Sequence, residues 1–260
     1  MALPDGAMDR PWAWGVYDEE GLRFALLMTQ HELRDLAVRV AAARDRAGSP
    51  PGEPERIRMQ YHDAYRDLTG LLAGVRTEEL DRAPARGEWS VRGALQHMID
   101  AVYGFSAVVR LAVEATARGE RQEEPSDEEF ARARARPGRI AEGDRRDVLE
   151  SLFQAHRRAL EAMTSVGGGA LERPALFWDG AMPLRFRLHR FEAHFRQHTV
   201  QIEKTLVAIG HPPTEAERLV RLVHRALGDV EAVHREGAAD DAVAAAARAI
   251  DERAGALEAA

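Results

Sequence analysis

At 260 residues the chain is long enough for one large domain or two small ones and buries a core without covalent staples. Its 36 Lys and Arg against 43 Asp and Glu leave a net charge of -7, which gives no positive field to gather nucleic acid or an anionic membrane surface. The absence of cysteine excludes disulfides, thiolate-held zinc, iron-sulfur clusters and a cysteine nucleophile, so any sulfur chemistry needs a co-substrate that brings the sulfur.

Met1 to Pro11 contains Pro4, Asp5, Asp9 and Arg10 and no apolar run of the signal-peptide kind, so a cytoplasmic protein is expected. The longest apolar stretch, Ala101 to Val109, ends at Arg110, far short of the roughly 20 residues that span a bilayer. Apolar residues recur at three-to-four spacing nearly throughout and strand-like alternation is almost absent, which predicts an all-α protein. A first helix over 18–47 shows the stripe Leu22, Leu26, Leu33, Leu36 and Val40 and is closed by Gly48-Ser49-Pro50-Pro51-Gly52. A second runs from about Pro54 through Ile57, Tyr61, Tyr65, Leu68 and Leu72 to about Val75. A third opens at Ser90 as N-cap, with Trp89 placed to staple onto its first turns, and ends near Gly119. Glu120 to Arg146, charged and carrying Pro125, Pro137, Gly138 and Gly143, reads as a long surface connection in which Ser126 to Glu129 fits a capping box.

A fourth long helix follows Asp144, presents Val148, Leu152, Phe153, His156, Leu160 and Met163 on one face, and stops at Gly167-Gly168-Gly169. A loop with Phe177, Trp178, Asp179 and Gly180 leads to a helix from about Pro183 to Ile209, and Trp178 is expected to anchor that loop on the bundle. Thr214 and Glu217 form a capping box for a helix with Leu219, Leu222, Val223, Ala226, Val230 and Val233 on one side. The alanine-rich stretch from Asp240 to Ala260, with Val243, Ile250 and Leu257 as its larger apolar anchors, is expected to be helical and weakly docked. The expected organisation is an N-terminal extension over 1–52, a bundle of four antiparallel helices with one long crossover over 53–212, and two further helices over 213–260.

Chemistry concentrates on the helix that reads His189-Arg190-Phe191-Glu192-Ala193-His194-Phe195-Arg196-Gln197-His198. At about 100° per residue, His194 and His198 lie about 40° apart and one turn displaced, so both imidazoles face one spot, while His189 points well away. From the pair alone, two partly exposed histidines on a charged helix is the better reading, and a metal clamp needs a third ligand. His97, about two turns into the third helix, is the candidate, although by itself it reads as a core histidine with one partner. Gln201, seven residues after His194, returns to the same face and is positioned to orient a bound water or substrate; Asp100, three after His97, could bond its ring edge or cap the rim. Three nitrogen donors leave at least one open position on zinc and up to three on an octahedral nickel, iron or manganese ion. His156 reads as a satisfied core residue, and His31, His62, His211, His224 and His234 share no face or spacing.

The segment Glu88-Trp89-Ser90-Val91-Arg92-Gly93-Ala94-Leu95-Gln96-His97, followed about a hundred residues later by His194-x-x-x-His198-x-x-Gln201-Ile202, resembles the two signature regions of the DinB-like superfamily. The resemblance covers about Glu53 to Ile209. It implies a DinB-like four-helix bundle, the metal-ligand role for His97, His194 and His198, a pocket at one end of the bundle, and, commonly, a homodimer. The superfamily includes thiol S-transferases that use bacillithiol or mycothiol, presumed metal-dependent hydrolases or isomerases, and many members of unknown activity, so fold and ligands do not choose the reaction. The expected function is a metal-dependent transfer of a low-molecular-weight thiol to an electrophilic small molecule. The alternatives are a hydrolase in which the same ion activates water and Gln201 positions it, and a non-catalytic helical interaction module.

Overall fold

The computed structural model describes the whole chain except residues 1–4, 13, 15, 18, 19, 121, 123–125, 135–142, 235–238 and 260. The sequence readings that rest on Pro4, Pro125, Pro137 and Gly138 lie outside the described residues, as does the Leu257 side chain. Among the described residues there are eight α-helices and one two-stranded sheet: α1 (Gly21–Arg46), α2 (Glu53–Leu72), α3 (Val91–Ala117), α4 (Asp127–Arg134), α5 (Arg145–Thr164), β1 (Pro174–Phe177), β2 (Gly180–Pro183), α6 (Leu184–Ala208), α7 (Glu215–Val233) and α8 (Asp240–Ala259). None of these helices is long and apolar enough to cross a membrane. The chain divides into two compact units, one made of 52–68 and 75–212, the other of 1–51, 69–74 and 213–260.

Local chemistry sets the helix ends in the first unit. The Ser90 hydroxyl accepts from the Gly93 N–H at 3.2 Å and starts α3. Asp144 and Asp147 close a reciprocal capping box on α5, and Ser126 with Glu129 does the same for α4 inside the crossover. At the end of α6, Gly210 takes a φ of +88° that lets the His211 N–H reach the Leu206 carbonyl and its own N–H reach Val207, a Schellman ending. The bundle helices are α2, α3, α5 and α6, with Tyr61, Leu95, Met98, Ile99, Leu152, Phe191 and Phe195 wholly buried among them.

Residue pairings fix the directions. Arg58 of α2 bonds Thr164 of α5 while His62 meets His156, so α2 and α5 run antiparallel. Glu53 pairs with Arg185 and Asp63 with Arg196, so α2 and α6 run parallel. His97 meets His194 while Phe105 packs on Phe191, so α3 opposes α6. It follows that α3 and α5 are parallel, which corrects the all-antiparallel expectation: the crossover carries the chain back to its starting end before α5 begins.

Two further expectations change. The segment before α6 is a hairpin, with Pro174 opposite Pro183 and Trp178-Asp179 as its turn. Arg187, 5% exposed, pins it by an ion pair with Asp179 at 2.7 Å and by bonds to the Ala175 and Gly180 carbonyls, while Gln122 of the crossover bonds both backbone groups of Leu176. Trp178 is 84% exposed at the tip, and it is Phe177 that packs on Phe105 and Phe130. On α5, Phe153 points outward and the small residues Ala155 and Ala159 are buried in its place.

The second unit joins the two ends of the chain. Leu33, Leu36 and Val40 of α1 share a core with Ala226 and Val230 of α7, and Val243 and Ile250 of α8 pack against it, while Leu222 faces outward. The docking of α8 also has a polar anchor that the apolar pattern does not announce. Arg253 lies 3.9 Å over the Trp14 ring and bonds Thr29 and Glu32 of α1.

Candidate metal centre

His194 and His198 stand one turn apart on the inner face of α6, each about 4% exposed, and α3 lays the half-buried His97 against them. The Nε2 atoms of His97 and His198 each lie 3.1 Å from Nε2 of His194, and one nitrogen from each ring falls within 4.8 Å of the other two. Nitrogens bound at about 2.1 Å stand about 3.4 Å apart around a tetrahedral ion and about 3.0 Å apart at adjacent octahedral positions. The two separations from His194 sit between those values, and the third pair lies within 4.8 Å.

Proton bookkeeping points the same way. Gln201 Oε1 lies 2.7 Å from His198 Nδ1, and an amide oxygen only accepts, so Nδ1 carries the proton and Nε2 of the neutral ring faces inward with its lone pair. His194 Nε2 can offer one proton or one lone pair, and it has two histidine nitrogens at hydrogen-bond distance. Three lone pairs aimed at a common cation resolve that conflict. Burial, then the neighbouring His198 and His97, push the His194 pKa down to about 3. Burial also lowers that of His198, against the opposing bond from Gln201. Both rings are therefore neutral donors at physiological pH. The donor set fits a divalent ion, and among the described residues no fourth histidine or carboxylate joins it.

The surroundings add detail to the sequence reading in three places. Trp89 lies against the first turns of its own helix, beside Gly93 and with its ring centroid 4.9 Å from that of His97, and it also reaches within 6.1 Å of the His198 ring, so it forms a wall of the site. Gln201, expected to orient water or substrate, accepts from His198 Nδ1 through its carbonyl oxygen and so orients that ring. Asp100 accepts from Gln96 Nε2 at 3.1 Å. Phe105 packs edge-on against His194, whose Nδ1 is buried without a hydrogen-bond partner among the described residues.

A cavity of about 620 Å³ opens beside the cluster, lined from α6 by Arg190, His194, Gln197, His198, Gln201 and Lys204, with Glu88 and Trp89 on the facing loop. That volume suits a small organic molecule. His189 lies near Glu53 and is absent from the cluster, as the helical arithmetic predicts.

The sequence model of the DinB superfamily matches residues 60–202, more than half of the chain. The protein belongs to the DinB superfamily. No curated protein and no solved structure matches it. Membership and the three-histidine cluster together fit a metal-binding DinB-like protein and suggest a divalent ion.

Three of the other histidines have partners of their own. His211 meets Glu79, His224 meets Thr69 and His234 meets Asp240. His62 and His156, which the sequence leaves unrelated, form a buried pair, Nδ1 to Nε2 at 3.0 Å, with His156 stacked on Tyr65 at 3.7 Å between centroids. His156 was expected to be satisfied, yet its Nδ1 is also without a hydrogen-bond partner among the described residues. With the two histidines 94 positions apart, no local spacing could announce the pair.

Proposed function

We propose that this DinB protein is a metal-dependent enzyme in which His97, His194 and His198 hold a divalent ion, and that it joins a low-molecular-weight thiol to an electrophilic small molecule. The observation that carries the reading is the convergence of three imidazole nitrogens at the edge of a cavity sized for a small molecule, with no fourth protein ligand among the described residues. A structural ion is usually enclosed by four protein ligands, whereas three leave a position for an outside molecule. When bound, the ion supplies Lewis acidity that brings the pKa of a coordinated thiol or water toward neutrality. The residues supply the rest: Gln201 fixes the tautomer of His198, Phe105 wedges His194, and Trp89 walls one side of the site. In the reaction the thiol S–H bond breaks and the sulfur bonds to the electrophilic carbon as that carbon gives up a bond: a haloarene loses halide and the thiol proton passes to solvent, whereas an epoxide C–O bond or an enone C=C π bond opens and the proton ends on the ring oxygen or the α-carbon. The chain has no cysteine, so the sulfur comes from the co-substrate.

A hydrolytic reading is favoured by Glu88, a carboxylate in the cavity lining with the reach of a general base, and by Gln201 as a group that positions water. The two readings separate on one experiment. Metal content is measured for wild type, His194→Ala and His198→Ala, and the loaded wild type is then assayed for thiol consumption against a panel of haloaromatic, epoxide and enone electrophiles. Thiol-dependent turnover that disappears in both variants is expected. Turnover of an ester or amide without thiol would move the assignment to hydrolysis, and equal metal content in all three proteins would remove the metal site altogether.

A further inference from the structure

Helix α6 carries five cations, and they sort into two groups. Arg185 pairs with Glu53 and Glu172, Arg187 with Asp179, and Arg196 with Asp63, Asp67 and Glu192. Arg190 and Lys204 have no ion-pair partner among the described residues, both side chains are exposed, and both line the cavity at the three-histidine cluster. Arg190 lies one turn before His194, and Lys204 lies three residues after Gln201, so the two flank the cluster along a single helix face. Side chains on a helix lean toward its N-terminus, which carries the Lys204 ammonium back over Gln201 and toward His198. The one acidic residue in the lining is Glu88. A chain of net charge -7 thus presents, at this cavity, two unpaired cations against one carboxylate beside neutral imidazoles.

We propose that the ligand of this cavity is a small organic anion whose charged ends, carboxylate or phosphate, are held by Arg190 and Lys204 while its middle lies over the histidine cluster. The inference rests on the proposed enzymatic reading of that cavity and gives the substrate its chemical class. Along the helix the two α-carbons are about 21 Å apart at 1.5 Å per residue; Lys204 leans into that gap and the flexible Arg190 stem has to turn toward it, so a ligand that touches both cations is extended rather than compact. The planar fork of Arg190 suits a carboxylate or phosphate edge, and Lys204 acts as a point charge that follows the ligand. Both cations are exposed, so screening by salt weakens each contact.

The test uses full-length wild type, Arg190→Gln and Lys204→Gln. Zinc affinity is measured first in all three, then calorimetric titrations follow with adipate, with its uncharged counterpart adipamide, and with inorganic phosphate. The expected results are equal zinc affinity, adipate bound at least about 10-fold more tightly than adipamide by wild type, and a loss of several-fold or more in adipate affinity in each variant with adipamide unchanged. The adipate affinity of wild type should also fall as salt rises from about 0.05 to about 0.5 M. Phosphate bound in preference to adipate, and lost in the same variants, assigns the phosphate form of the anion. Equal affinity for adipate and adipamide, no anion binding, or variants that bind adipate as wild type does would each overturn the proposal and leave the metal reading intact. If wild type fails to bind zinc, the enzymatic reading falls, and the same titrations on the zinc-free protein decide the anion site by the same criteria.

Discussion

Gln201 holds one imidazole by its Nδ1 proton, so its amide matters to the ion even without touching it. Gln201→Leu should weaken zinc binding by about 10- to 100-fold, read by competition with a chromophoric chelator, with the fold retained. His194 gives a pH signature in the metal-free protein. Its folded pKa is about 3, against an ordinary value of about 6.5 when the chain is unfolded. Between those values the unfolded chain binds a proton that the folded one refuses, so stability rises with pH through the window and is lost on acidification. At pH 5 the loss for this one group is about 2 kcal/mol. The His62–His156 pair adds in the same direction, since burial first and then His62 and Arg66 hold His156 well below its ordinary range. Thermal unfolding of the metal-free protein should therefore give a lower Tm at pH 5 than at pH 7, and a His194→Leu variant a shallower dependence.

Among the elements, α3 starts where a single hydroxyl says it should, and that start also places Trp89 and His97. Ser90→Ala should cost about 1 kcal/mol in denaturant unfolding. Arg187→Ala should cost more, roughly 3 kcal/mol, because it strands Asp179 and two carbonyls beneath the hairpin. Arg253→Ala should free α8 for proteolysis while α1 and α7 stay protected, since their shared core of Leu33, Leu36, Val40, Ala226 and Val230 does not depend on it. These elements also mark how far the chain could be read in advance. Caps at Ser90, Asp144 and Thr214 were legible because each is a contact within three residues. His194 and His198 were legible because one helix fixes their angle. The hairpin was not: strands of four residues carry too little alternation to stand out from a loop. Nor was the approach of Trp89 to His198, because its packing on α3 is local to one helix whereas His198 arrives from a helix about a hundred residues later. Phe153 and Leu222 failed for a related reason: they sit at the margins of their stripes, where period alone cannot tell an apolar surface residue from a core one.

For the whole molecule, the division of the ligands between α3 and α6 decides where an ion makes itself felt. Zinc should slow hydrogen exchange in α3 and α6 and leave α1, α7 and α8 unchanged, because an ion stabilises only the unit whose opening releases it. His97 precedes His194 by 97 residues. A growing chain therefore leaves the ribosome with the first imidazole long before the other two exist, and no ion can be closed in until α6 has emerged and docked. Loading is an event of completed folding, so the ion that fills the site is selected by the metal supply of the place where synthesis ends, since imidazole nitrogens alone discriminate poorly among zinc, nickel and copper.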